Sequence, residues 1–261
     1  GTAPPMLDLI RDEAIHELRL ARPPVHALDP ALVARLREAV RDAQREGARG
    51  LLLAGSPGMF SAGLDVPALL QLDRAGMRAF WTDFFALCAD LACAPIPIVA
   101  AITGHSPAGG AVLSIMCDYR VMARSPDPQK PFRIGLNEVQ VGLTVPDCIQ
   151  AALRRLLGPW RAERLMVAGL MLESEQARAI GLVDELADVE AVVPRAREWL
   201  AGLLALPPHA MTETRRIARA DLAAIFDDPT RFRVDEFVDG WFATETQTVL
   251  QALVARLKSK G

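Results

Sequence analysis

Along the first half of the chain, apolar residues gather in short runs separated by turn residues. Residues 6–21, MLDLIRDEAIHELRLA, read as two short strands around Asp12-Glu13, an N-terminal hairpin. Arg22-Pro23-Pro24 ends it, because proline lacks a donor and restricts its predecessor. Asp29 then reads as an N-cap with Pro30 at the first helical position. Leu32, Val33, Leu36, Val40 and Ala43 follow at helical spacing up to about Gly47. The run from Gly50 to Gly55 is apolar and bounded by glycines, the pattern of a strand buried on both faces. A loop is expected from Ser56 to Asp65.

Residues 74–93 predict a long helix with Met77, Phe80, Trp81, Phe84, Leu87, Cys88 and Leu91 on one broad face, broken by Pro95 and Pro97. Ile96 to Ile102 predicts a second buried strand, Thr103 to Gly110 a glycine turn, and Ala111 to Met116 a helical run. Tyr119 to Ala123 and Phe132 to Leu136 predict further strands, and the alternation implies an α/β layered fold with crossover helices. Helical patterns dominate from about Ala151. The last sixty residues show no strand signal, so a core over 1–200 and a helical C-terminal region over 201–261 are expected. The apolar faces of that region, with Phe226, Phe232, Phe237, Trp241 and Phe242, need the core or another subunit to cover them.

Composition narrows the field. Hydrophobic residues make up 51% and charged residues 23%, as in an ordinary globular protein. With 29 Lys+Arg against 32 Asp+Glu there is no general electrostatic pull toward nucleic acid. No apolar run approaches the roughly 18 residues of a membrane span, and the first residues show no targeting pattern. A soluble, cytoplasmic protein with no nucleic-acid or membrane partner is the expectation. Cys88, Cys93, Cys117 and Cys148 form no CxxC pair and read as small buried hydrophobes, and the four scattered histidines suggest no metal site.

Candidate chemistry starts at two glycine-containing junctions, Phe60 to Asp65 and Gly104 to Gly110. Each can present backbone N–H groups at the start of a helix, and two facing each other can hold one developing oxyanion. Neither matches a Walker loop or a GxGxxG fingerprint. Taken singly, such a glycine turn is more often structural, glycine being the default residue for tight turns and close packing. Glu138 stands in the apolar stretch Ile134 to Pro146, where partial desolvation raises a carboxyl pKa and suits proton transfer. The alternative is a carboxylate capping a turn or paired with Arg133.

The strings FSAGLD, ITGHSPAGGAVLSIMCDYRVMA, IGLNEVQVGLTVP and GLMLESEQARAIGLVDEL, in that order, resemble the crotonase superfamily of acyl-CoA enzymes. Within it the likeness is greatest to mitochondrial-type Δ3,Δ2-enoyl-CoA isomerases. The resemblance implies a spiral of repeated ββα units with a helical C-terminal region, a homotrimer or dimer of trimers, and an acyl-CoA thioester as substrate. Coenzyme A then enters as part of the substrate, with no separate cofactor. It also implies that the N–H groups of Leu64 and Gly109 form the oxyanion hole and that Ala62, Gly63 and Asp65 flank the first donor and line the CoA channel. Gly110 is expected to let the helix start approach the acyl group. Asn137 stands where the isomerases contact substrate, or is a turn residue.

Hydratases of the superfamily carry one glutamate two residues beyond the second glycine and another in the later motif. Here those positions are Val112 and Glu138. Water addition is a two-carboxylate task in this family, whereas moving a double bond from position 3 to position 2 needs one base. The expected activity is therefore 3-enoyl-CoA isomerisation with Glu138 as base. The alternatives are another acyl-CoA reaction on the same fold, such as hydration, lysis or decarboxylation, or acyl-CoA binding without catalysis. Asp147 reads as a helix N-cap, His105 as a hydrogen-bonded turn residue, and Arg22 and Lys258 as solvated cations or contacts for CoA phosphates.

Overall fold

The structure, a computed structural model, describes residues 6–260. Its elements in chain order are β1 (Leu7–Asp12), β2 (Ile15–Leu20), α1 (Pro30–Arg45), β3 (Gly50–Ala54), β4 (Gly58–Met59), α2 (Val66–Leu69) and α3 (Arg74–Ala92). Then come β5 (Ile98–Ile102), β6 (Gly104–Pro107), α4 (Gly109–Ile115), β7 (Tyr119–Arg124), β8 (Arg133–Gly135), α5 (Asp147–Leu157) and α6 (Pro159–Ala168). The chain continues through β9 (Leu172–Glu173), α7 (Ser174–Ile180), β10 (Glu185–Asp188) and α8 (Val192–Leu204). It ends with α9 (Pro208–Ala218), α10 (Ala220–Phe226), α11 (Val234–Phe242) and α12 (Thr244–Ser259).

Two sheets organise these elements. The larger has the order β1-β2-β3-β5-β7-β10 and is parallel except for the β1–β2 hairpin. The smaller has the order β4-β6-β8-β9, with β4, β6 and β8 parallel. Three successive turns of the chain thus each send one strand to the large sheet (β3, β5, β7), the next to the small sheet (β4, β6, β8), and then enter helical structure. This is the expected α/β spiral of ββα units. Every residue of β3 and β5 is buried, as their unbroken apolar runs require in a parallel sheet covered on both sides. Asp29 caps α1, its side chain accepting from the Leu32 N–H at 2.8 Å, and the predicted apolar stripe is buried.

Several expectations need correction. The loop 56–65 and the turn 103–110 contain strands β4 and β6, paired through Gly58↔Gly104 and Met59↔His105. These glycine-rich pieces neither alternate nor form an apolar run, so their own pattern conceals them. Two strands, β9 and β10, also lie beyond Ala151, each completed by a partner already in place. Asp147 is the first residue of α5 rather than its cap, and pairs with Arg231 at 3.2 Å. Cys93 is exposed, one residue past the end of α3, while the other three cysteines are buried.

Residue 200 lies inside α8, where Leu200 is buried against Gly50 of β3. The helices beyond it fold onto their own chain: Phe237 of α11 meets Trp81 and Phe85 of α3, and Trp241 is fully buried. Among the described residues no helix is long and apolar enough to cross a membrane.

Candidate active site

The ends of the small-sheet strands converge on one cavity of about 560 Å³. Leu64 follows β4, Gly109 follows β6, and Glu138 follows β8; all three line it, so each turn of the spiral supplies one group at the same stage of its path. Ala62, Asp65, Ala108, Val112 and Asn137 also line the wall.

The first donor is aimed by a single parallel bridge. Leu28 donates to the Gly63 carbonyl at 2.7 Å and accepts from the Asp65 N–H at 3.0 Å. In extended backbone this turns the intervening Leu64 N–H to the opposite side. The second donor is the Gly109 N–H at the first position of α4, where no intrahelical acceptor exists. Among the described residues neither N–H has an acceptor. Before Gly109, Ala108 holds φ 46° and ψ −114°, an unfavourable conformation for a residue with a Cβ, fixed by its N–H bond to the Gly135 carbonyl at 2.8 Å.

Two glycines bring the donor loops into contact. A Cβ at Gly63, which has φ +87°, would lie 2.9 Å from the Gly109 nitrogen, and one at Gly110 would lie 2.5 Å from the Ser61 carbonyl oxygen. Neither is among the residues that line the cavity. Both glycines thus allow backbone to pack on backbone, which for Gly110 is the close approach of the helix start that was expected, while Ala62, Leu64 and Asp65 beside Gly63 and Gly109 beside Gly110 line the cavity.

Glu138 opens a short 3-10 turn, Glu138–Val141, and is buried. Desolvation pushes its carboxyl up from 4.5 to about 7, opposed only by its own backbone N–H. Its Oε2 has no hydrogen-bond partner, and neither has the Oδ1 of Asn137 beside it. Pairing with Arg133 does not occur, since Arg133 faces Glu173 at 3.5 Å. Val112 is 2% exposed, so the cavity wall at that position is apolar. The arrangement offers two free donors for an oxyanion and a carboxyl able to take and return a proton near neutral pH.

Sequence reasoning missed the supports of the first donor. Arg22 lines the cavity, partly exposed, but is not free: it pairs with Asp65 at 2.8 Å and Asp29 at 3.3 Å and donates to the Ala27 carbonyl at 2.7 Å. His26 is buried; its Nδ1 accepts from the Arg22 N–H at 3.0 Å, which leaves Nε2–H to donate to Ser56 Oγ at 2.8 Å. Burial lowers its pKa, keeping the ring neutral. The His26 carbonyl accepts from Ser61 Oγ at 2.8 Å, and that oxygen accepts from the Gly63 N–H at 3.1 Å. The missed wall comes from Trp81 and Phe84 of α3 and from Leu253 and Leu257 of α12. Their helical periodicity marked them only as core or surface. His105 is hydrogen-bonded as expected, its Nδ1 accepting from the Arg133 N–H at 3.2 Å, but it lies in strand β6 rather than in a turn, and Lys258 is exposed beside Leu257.

A second cavity of about 570 Å³, between α8, α9 and the start of β7, is lined by several arginines. Arg215 and Arg219 are held there by Asp118 and by carbonyls at the ends of α3 and α4, a structural use.

Residues 11–255 match the family model for enoyl-CoA hydratase/isomerase. Human mitochondrial enoyl-CoA delta isomerase 1 is 30% identical over 245 residues, covering 93% of this chain and 80% of that one. The probable enoyl-CoA hydratase EchA17 of Mycobacterium tuberculosis is 29% identical over 224 residues, covering 83% and 80%. The crystal structure of human mitochondrial delta3-delta2-enoyl-CoA isomerase superposes with a TM-score of 0.91 at 28% identity, over 98% of this chain and 99% of that one. The enoyl-CoA hydratase EchA3 of Mycobacterium ulcerans gives 0.78 at 28% identity, over 90% and 97%. By sequence and by fold, the chain belongs to the enoyl-CoA hydratase/isomerase family, the crotonase superfamily.

Proposed function

We propose that the protein is a 3-enoyl-CoA isomerase that moves the double bond to the 2-trans position with Glu138 as its single acid–base group. The thioester oxygen would accept from the N–H groups of Leu64 and Gly109. Glu138 takes a proton from C2, and the electron pair delocalises over C2, C1 and the thioester oxygen as a dienolate with the C3–C4 double bond. The same carboxyl then delivers the proton to C4, and the double bond re-forms between C2 and C3. Stabilising the oxygen as charge develops is the larger electrostatic contribution, with about 2.7–4 kcal/mol typical for one such donor. A positioned base contributes about 10²–10⁴-fold.

One observation carries this reading: a buried Glu138 whose Oε2 has no hydrogen-bond partner shares a cavity with two acceptor-free N–H groups while Val112 supplies no second carboxyl. Hydration, the activity in the names of the EchA17 and EchA3 relatives, lacks at Val112 the group that would handle water. Substrate selection tests the choice. Purified protein is given a 3-enoyl-CoA and, separately, a 2-enoyl-CoA. Rapid appearance of the conjugated thioester with hydration at least about 100-fold slower is expected; hydration at a comparable rate refutes the reading. The exposed Trp160 and Val167 of α6 and Ile217 of α9 support a homo-oligomer, which the resemblance makes a homotrimer or a dimer of trimers.

A further inference from the structure

We propose that Thr246, at the start of the last helix, is a positioning residue for Glu138, acting through the turn that carries it. The proposal rests on the assignment of Glu138 as the base. Among the described residues no other side chain holds the carboxyl of Glu138: Oε2 is buried without a hydrogen bond, and the one hydrogen bond acting on the group comes from its own backbone N–H. Where such a side chain points is therefore decided by its rotamer and by the placement of its backbone.

That backbone is a single tight turn. Leu143 donates to the Glu138 carbonyl at 3.0 Å and Gly142 to the Val139 carbonyl at 3.2 Å, and Gly142 closes the turn with φ +78°. One turn of this kind is weak alone. Two distant side chains hold it. Gln140 donates from Nε2 to the Gly169 carbonyl at 2.6 Å, and Thr246 donates from Oγ1 to the Gly142 carbonyl at 2.7 Å, across 104 residues of sequence. Thr246 is 4% exposed, and a Cβ on Gly142 would lie 3.3 Å from its Cα, so α12 sits directly on the turn.

The same helix covers the cavity. Positions 246, 250, 253 and 257 follow helical spacing along one face: Leu250 is fully buried, and Leu253 and Leu257 line the cavity. α12 therefore joins the wall around the acyl group to the turn that sets the base. Loss of the Thr246 bond frees the turn to shift the carboxyl relative to C2 and C4, while the cavity that binds the thioester stays in place.

Steady-state kinetics on a 3-enoyl-CoA with Thr246→Val, Thr246→Ser and Glu138→Gln test this. Thr246→Val keeps the shape and removes the hydroxyl, so kcat should fall about threefold to tenfold, the range one hydrogen bond allows, with KM changed less than about twofold. Thr246→Ser should restore kcat. Hydrogen exchange of the amides of residues 139–143 should quicken in the valine variant and return to native values in the serine variant. If Thr246→Val does not fold, Thr246→Ala takes its place in the same comparison. A native kcat in the variant lacking the hydroxyl, or an equal fall in Thr246→Ser, overturns the positioning role. Turnover that survives Glu138→Gln instead overturns the assignment of the base, so the two failures are distinct.

Discussion

Replacing Glu138 with glutamine should stabilise the fold, and by an amount that grows with pH. Glutamine has nearly the same shape and stays neutral, so the comparison isolates the charge. Burial raises the carboxyl from 4.5 to about 7. At about 1.36 kcal/mol per tenfold change in acidity, that rise corresponds to about 3 kcal/mol. The sign follows from proton counting. Between pH 4.5 and about 7 the folded protein keeps a proton that the unfolded chain has released. Unfolding then releases a proton, and the native protein loses stability as pH rises through this window. Glu138→Gln removes that loss. Urea denaturation of both proteins near pH 4 and near pH 8.5 should show a stability difference, variant minus native, larger by about 3 kcal/mol at the higher pH. Other titrating groups are shared and cancel. A difference that is the same at both pH values would mean that Glu138 titrates alike in folded and unfolded chains, and the desolvated base would be refuted.

Ala108→Gly should also stabilise: relief of the φ 46° conformation is worth about 1–3 kcal/mol, against about 0.4–1 kcal/mol of added chain entropy in the unfolded state, and thermal melting reads the balance. Gly110→Ala should lower kcat about a hundredfold or more with the fold retained by circular dichroism, because a Cβ 2.5 Å from the Ser61 carbonyl forces the donor loops apart. The isomerase kcat/KM should rise about tenfold per pH unit up to about pH 7 and then level off, since the carboxyl pushed to about 7 acts in its ionised form. A flat profile through that region contradicts the role.

Most large-sheet strands were legible, β3 and β5 as short apolar runs that need no partner to be recognised, whereas β10 was not. Asp29-Pro30 likewise announced α1. Of the small-sheet strands only β8 was, because pieces such as Gly58–Met59 are strands only by virtue of the pairing that the spiral brings to them. The site was half readable. Its donors and base were visible as glycine junctions and an acidic residue in an apolar stretch, but that they meet follows from three equivalent turns stacking. Arg22 with Asp65, His26 with Ser56, and Thr246 with Gly142 are pairs separated by 30 to 104 residues, and no local pattern marks them. Cys93 misled because its apolar type says nothing of its place at a helix end.

The proton-transferring carboxylate is tested most directly by the turnover of a 3-enoyl-CoA by Glu138→Gln, with thioester binding measured alongside by calorimetry. The account predicts binding close to native and a kcat lower by about 10²–10⁴-fold. Native-like turnover by the glutamine variant would contradict it.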